Sequence, residues 1–211
     1  MNSDHEYVLL DGVNRASIGR YLAIAASGIS AVLVSALIFL VNWWESLGHP
    51  QFPQVLAVPI TAGFVYLALY ALFKNYIWKW QRMQGVLKVP DLSGRWKCRG
   101  VSLNPKDGVT PDWTGVVSIT QDWDVIRIQL ETSSSMSNSI AAALQYDVLN
   151  GYHLLYTYKN EVKADSPRDM VGHRGAAHLT FSKDLKSCEG DYFNGRGRYT
   201  FGTMRLSKID E

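Results

Sequence analysis

The chain has 211 residues and a formal net charge of +2, with 47% apolar and 19% charged side chains, totals that would suit one soluble domain if they were evenly spread. They are not: charge-free apolar stretches crowd into the first 80 residues, whereas residues 90–211 carry 15 Lys and Arg against 15 Asp and Glu. So balanced a segment offers no basic field for phosphate neutralisation along a polymer, which argues against a DNA or RNA partner and leaves room only for a local basic pocket.

Residues 1–20 read as an N-terminal cytoplasmic tail. A charge-free run at 21–44 follows, long enough to cross a hydrocarbon core as a helix, and a second one occupies 55–73 with Pro59 near its start. Trp43 and Trp44, and beyond the second run Tyr76, Trp78 and Trp80, fall where amphipathic rings prefer the membrane interface. A signal peptide has a shorter apolar region and a small-residue cleavage site, so the two runs are expected to form a transmembrane hairpin over 21–80. Arg15 and Arg20 flank the first run, Lys74, Lys79, Arg82 and Lys88 flank the second, and the connection at 45–54 holds no Lys or Arg. That bias predicts a multi-pass membrane protein with both termini cytoplasmic, and hence reduced, packed Cys98 and Cys188. Ala23, Ser27, Ala31 and Ser35 repeat every four residues and give the first span a small-residue face, suited to close contact either with the second span or with another chain.

After a juxtamembrane stretch that reads as a continuation of the second helix, Pro90 ends the helical pattern and alternation begins. Strands are expected over 94–102, 114–121, 125–132, 141–149, 152–160, 176–182, 188–194 and 198–207, with an Asn150-Gly151 hairpin signal and surface loops at 103–113 and 161–175. With no helix to cover a sheet face, an eight-stranded antiparallel barrel spanning 90–211 is the favoured solution, since closure removes exposed edges. A barrel of this size is filled by side chains or holds one small ligand.

Alternation assigns inward positions to Trp96 and Cys98, Val117 and Ile119, Ile126 and Ile128, Leu144 and Tyr146, Leu154, Tyr156 and Tyr158, Leu179 and Phe181, Tyr192 and Asn194, and Met204 and Leu206. Core packing accounts for these aromatics one by one, while together Trp96, Tyr146, Tyr156, Tyr158 and Tyr192, with Asn194, would also make walls for a planar ligand. Arg196 and Arg198 suit phosphates through the guanidinium fork and equally suit solvated turns. No P-loop, HExxH, GxSxG or CxxC element occurs, so neither a catalytic group, a metal site nor a cofactor is expected. His173 and His178 read as loop residues, and the serine-rich 133–139 reads as a loop over a barrel mouth.

The segments Pro90-Asp91-Leu92-Ser93-Gly94-Arg95-Trp96, Gly190-Asp191-Tyr192-Phe193-Asn194 and Gly202-Thr203-Met204-Arg205-Leu206, behind a two-span hairpin, resemble a bacterial family. These are the transmembrane β-barrel effectors of CBASS, the cyclic-oligonucleotide-based anti-phage signalling associated with CD-NTase enzymes. The resemblance implies a receptor with no catalytic step. A partner nucleotidyltransferase makes a cyclic dinucleotide after infection, the barrel binds it, and membrane-bound chains form a homo-oligomer that disrupts the inner membrane and kills the cell. From a different functional class, a membrane-tethered, lipocalin-like carrier or sensor of an apolar ligand would share the same architecture; extraction of a lipid rather than a nucleotide would single it out.

Overall fold

A computed structural model of the chain describes residues 4–10, 13–48, 62–104, 108–109, 112–164, 171–195 and 199–209. Two compact units result, one of residues 13–78 and the other joining residues 1–12 to 79–211.

The first unit holds helix α1, Arg15–Ser46, and helix α2, Ala62–Asn75. Asn14 caps α1, its side chain accepting from the Ala16 amide at 2.8 Å, one of the donors that a helix start leaves unpaired. At about 1.5 Å per residue its 32 residues run to about 48 Å. Among the described residues α1 is the helix long and apolar enough to cross a membrane. The expected second span is described from residue 62 onward; its residues 55–61 lie outside the described residues. Ala26 and Ser30 are the buried positions of α1, flanked on the same face by half-buried Leu22 and Val34, while α2 buries Val65 and Phe73. The small-residue row Ala23, Ser27, Ala31 and Ser35 is exposed. It is therefore not the packed face of the hairpin.

The expected continuation of the second helix fails at a 3-10 turn, Ile77–Lys79, after which a separate helix α3, Gln81–Leu87, begins. Lys88 ends α3 in the left-handed region at φ 57°, and its Nζ lies 4.6 Å from the centroid of the Tyr146 ring. Both Lys79 and α3 already belong to the sheet unit, where Lys79 pairs with Asp91 at 3.6 Å.

All ten described strands belong to one sheet: β1, His5–Leu10; β2, Gly94–Asn104; β3, Gly108–Val109; β4, Trp113–Gln121; β5, Val125–Thr132; β6, Ser135–Asp147; β7, Gly151–Val162; β8, Arg174–Phe181; β9, Ser187–Asn194; and β10, Phe201–Lys208. Antiparallel pairing runs from β2 through β4, β5, β6, β7, β8, β9 and β10, and β10 returns to β2, with Leu206 opposite both Cys98 and Cys188. Eight strands thus form a closed cycle of hydrogen-bonded neighbours. All eight strands expected from alternation are present, with shifted ends: the one expected from Arg198 begins at Phe201, and the one expected from Ala141 begins six residues earlier.

Four expectations are corrected here. Serine-rich 133–139 is not a loop: Ser133 and Ser134 form a tight turn, and from Ser135 the segment is strand β6, with Ser135, Ser137 and Ser139 buried on the inner face. The supposed N-terminal tail contributes β1, antiparallel to β5 and parallel to β6. His178 is no loop residue, because it lies on β8 with its ring 3.1 Å from His153 on β7. The β6–β7 connection also departs from a two-residue hairpin: Asp147 accepts from the amides of Leu149 and Asn150 at 2.8 and 2.7 Å, and Gly151 takes φ 87°.

Apolar packing fills one end of the cycle. Trp96, Val117, Ile119, Ile126, Leu144, Leu154, Leu179, Phe181 and Leu206 are buried there, with Trp96 edge-on to Phe181 at 5.5 Å. The linker before β2 covers this end: Trp96 Nε1 donates to the Leu92 carbonyl at 3.2 Å, and Gln121 accepts from the Leu92 amide at 2.9 Å while donating to the Pro90 carbonyl at 3.1 Å. Cys98 and Cys188 are free and buried, and burial pushes both thiols up to about 12.

Candidate functional site

The other end of the closed sheet is lined differently. On four strands the inward row turns from apolar to polar: Cys98 gives way to Ser102 on β2, Ile128 to Thr132 on β5, Leu154 to Asn160 on β7, and Cys188 to Asn194 on β9. Between these rows lies a cavity of about 430 Å³, whose wall also includes Trp113, Tyr156, Tyr158, His173, Tyr192 and Met204. A volume in this range holds a small organic ligand, and a mixed wall of rings and a few polar groups fixes its orientation.

The aromatic wall is braced by hydrogen bonds. Tyr192 Oη shares one with Ser102 Oγ at 2.5 Å and accepts another from Trp113 Nε1 at 3.1 Å, the two rings meeting edge-on at 5.8 Å. Tyr158 Oη donates to Asn194 Oδ1 at 2.8 Å, and Asn194 Nδ2 donates to Thr200 Oγ1 at 2.7 Å. Glycines make room for the rings. A Cβ at Gly175 would lie 2.5 Å from Tyr158 Oη, and one at Gly100 would run into the Trp113 ring. Burial raises the Tyr156 phenol well above its usual range, so it faces the cavity as a neutral group.

Polar groups on the β6–β7 side complete the wall. Asn160 Nδ2 donates to Ser137 Oγ at 2.9 Å, and the Asn160 amide donates to the His173 carbonyl at 2.8 Å. The β5–β6 turn is held by Thr132, which accepts from the Ser135 amide at 3.0 Å, and by Lys163, whose Nζ reaches Glu131 and the Thr132 carbonyl, both at 2.8 Å. That partner holds the Glu131 carboxyl below its usual range. Among the described residues no cluster of His, Cys, Asp or Glu could hold a metal ion.

Of the eight residues expected from the sequence, Tyr156, Tyr158, Tyr192 and Asn194 converge on this cavity. Trp96 does not reach it; it is fully buried in the apolar end. Tyr146 stands at that same end, beside Tyr152 at 5.1 Å between ring centroids. Arg196 and Arg198 lie outside the described residues. Sequence reasoning missed Ser102, Trp113, Thr132, Ser135, Ser137, Asn160 and His173 as wall residues. The signal for the serines was available, because Ser135, Ser137 and Ser139 alternate with Met136 and Asn138 at the period of a strand.

With this geometry in hand, comparison with known proteins is specific. Residues 87–208 match the family model described as Cap15, cyclic dinucleotide receptor domain, and residues 16–79 match the one described as Cap15, TM helices. The CD-NTase-associated protein 15 of Yersinia aleksiciae is 39% identical over 207 residues, covering 98% of each chain.

Proposed function

This chain belongs to the Cap15 family, and from that premise we propose that it is a ligand-gated effector of CBASS anti-phage defence, a receptor with no catalytic step. The closed cycle of eight strands is read as a barrel whose polar end binds a cyclic dinucleotide. The observation that carries this reading is the cavity of about 430 Å³ walled by Trp113, Tyr156, Tyr158 and Tyr192 within the segment matched as receptor domain. Flat rings offer stacking surfaces to bases, worth roughly 1–3 kcal/mol per base, while Ser137, Asn194 and His173, which line the cavity, are assigned to polar base edges. Arg196 and Arg198 belong to the connection between β9 and β10, two strands that meet at the cavity end, and are assigned to the phosphates.

Ligand binding favours an assembled state of the membrane-bound chains by its differential affinity for that state, and assembly disrupts the inner membrane and kills the infected cell. The spans are residues 21–44 and 55–73, with both termini cytoplasmic. Sheet pairing supports this topology independently of hydropathy. β1 precedes the helical unit and β2–β10 follow it, yet β1 pairs with β5 and β6, which favours residues 13–78 leaving and returning on one side of the bilayer. An even number of crossings gives that arrangement, and one crossing does not.

An apolar carrier fits less well, because an acyl chain offers nothing to the polar groups of the wall and would keep Asn160 Oδ1, which is buried with no hydrogen-bond partner among the described residues, unsatisfied at a cost of about 1–3 kcal/mol. The test is titration of the detergent-purified chain with cyclic di-AMP, cyclic di-GMP and cyclic di-UMP, followed by dye release from vesicles containing the protein. Saturable binding and ligand-dependent release are expected. A chain that binds none of a broad cyclic dinucleotide panel, or that copurifies with a lipid in the cavity, would refute the reading.

A further inference from the structure

β1 is a wedge in the wall of the closed sheet. β5 and β6 pair directly only over 129–131 against 136–138, next to the cavity. Past Ser139 the register of β6 slips at Ile140, and the two strands separate. β1 enters the gap, with His5 and Glu6 opposite Ile126 and Val125 on one side and Tyr7, Val8, Leu9 and Leu10 opposite residues 142–145 on the other. It thereby covers two strand edges whose backbone groups would otherwise lack sheet partners. Tyr7 anchors it, 1% exposed, its hydroxyl donating to the Asp122 carbonyl at 3.2 Å.

The tip of this wedge is one hydroxyl away from the cavity wall. His5 Nε2 and Ser139 Oγ share a hydrogen bond of 2.7 Å, and the same oxygen accepts from the Ile128 amide at 2.9 Å. Ser139 is the next inward residue of β6 after Ser137, and both Ser137 and Ile128 line the cavity. At its other end, Leu10 is followed after four residues by Arg15, the first residue of α1. The receptor-domain match begins at residue 87 and leaves this strand out.

We propose that β1 is a coupling strap, through which occupancy of the cavity is communicated to the first membrane helix by way of Ser139 and His5. The inference rests on the receptor reading of the cavity. A ligand bonded to the Ser135 and Ser137 row immobilises the first half of β6, Ser139 is thereby fixed, and β1 is held more firmly in its gap. Short strands pinned by few partners open locally at low cost, so β1 is the element of the sheet best suited to be biased in this way. Coupling of binding free energies is reciprocal, so the factor by which the ligand holds β1 closed is the factor by which fully opening β1 weakens the ligand, and a substitution that only loosens β1 costs less.

Hydrogen–deuterium exchange on the full chain in detergent, with and without the tightest-binding member of the cyclic di-AMP, di-GMP and di-UMP set, tests this. At saturation the amides of residues 5–10 are expected to exchange at least about fivefold more slowly. His5→Ala should retain binding within about threefold, lose the protection of β1, and reduce dye release about tenfold, with His5→Gln restoring both. Saturation that leaves β1 exchange unchanged, dye release untouched by His5→Ala, or a His5→Ala chain that no longer binds would each overturn the strap while leaving the receptor reading standing. Absence of binding to the wild-type chain would instead remove the receptor reading and the strap together.

Discussion

Tyr192 accepts from half-buried Trp113 and shares a hydrogen bond with buried Ser102, so its hydroxyl serves two neighbours rather than one. Tyr192→Phe keeps the ring and removes both hydrogen bonds, each worth about 0.5–1.5 kcal/mol. The detergent-purified chain should melt several degrees lower by tryptophan fluorescence. Trp113→Ala removes a half-buried wall ring instead, and at about 1–3 kcal/mol per stacked base the dissociation constant of the bound cyclic dinucleotide should rise about 5- to 150-fold. The cysteines make a different prediction. Their thiols titrate at about 12 in the folded chain and well below that when solvated, so the native state favours the protonated form. The stability this confers is complete below the unfolded thiol pKa of about 8.5 and is lost as pH climbs from there toward 12. Alkylation by iodoacetamide at pH 8 should leave Cys98 and Cys188 unmodified in the folded chain and label both in denaturant.

Among the elements, β6 shows best what the sequence disclosed and what it did not. Alternation correctly placed Trp96, Ile119, Ile128, Leu154, Tyr156, Leu179, Tyr192 and Met204 inside, because apolar residues at period two announce a buried face. The same test is blind to an inner face made of hydroxyls, so Ser135, Ser137 and Ser139 read as a loop. β1 was illegible for another reason: six residues without a turn partner nearby acquire their strand character only from Ile126 and residues 142–145, far along the chain. The slip at Ile140 reconciles the two halves of β6, since the inward residues are odd-numbered before it and even-numbered, Ala142 and Leu144, after it. Deleting Ile140 would leave strict alternation with both inward rows kept, and would remove the slip at which β5 and β6 part to admit β1. Such a chain is expected to keep its cavity wall and lose β1 docking, measurable by exchange. In α1 the row Ala23, Ser27, Ala31 and Ser35 faces away from α2, so Ala31→Phe should spare ligand binding and reduce ligand-dependent dye release if that face joins chains. Undiminished release would assign chain–chain contact to another surface.

On the scale of the whole molecule, the decisive constraint is that one sheet is assembled from segments on both sides of the helical unit. Hydropathy alone leaves the count of crossings dependent on residues 49–61, whereas the pairing of β1 with β5 and β6 supports the proposal that residues 13–78 begin and end in the same compartment. Lys and Arg flank both outer ends of that unit and are absent from its connection, the bias expected when the shared compartment is the cytoplasm. Reporter fusions read this directly. Green fluorescent protein joined before Met1 or after Glu211 should fluoresce, and alkaline phosphatase inserted between Gly48 and Gln54 should be active, as it folds only after export. Active phosphatase at the C-terminus with a fluorescent N-terminus would mean a single crossing. The sheet could not then form within one chain, and β1 would have to be supplied to the receptor domain from elsewhere.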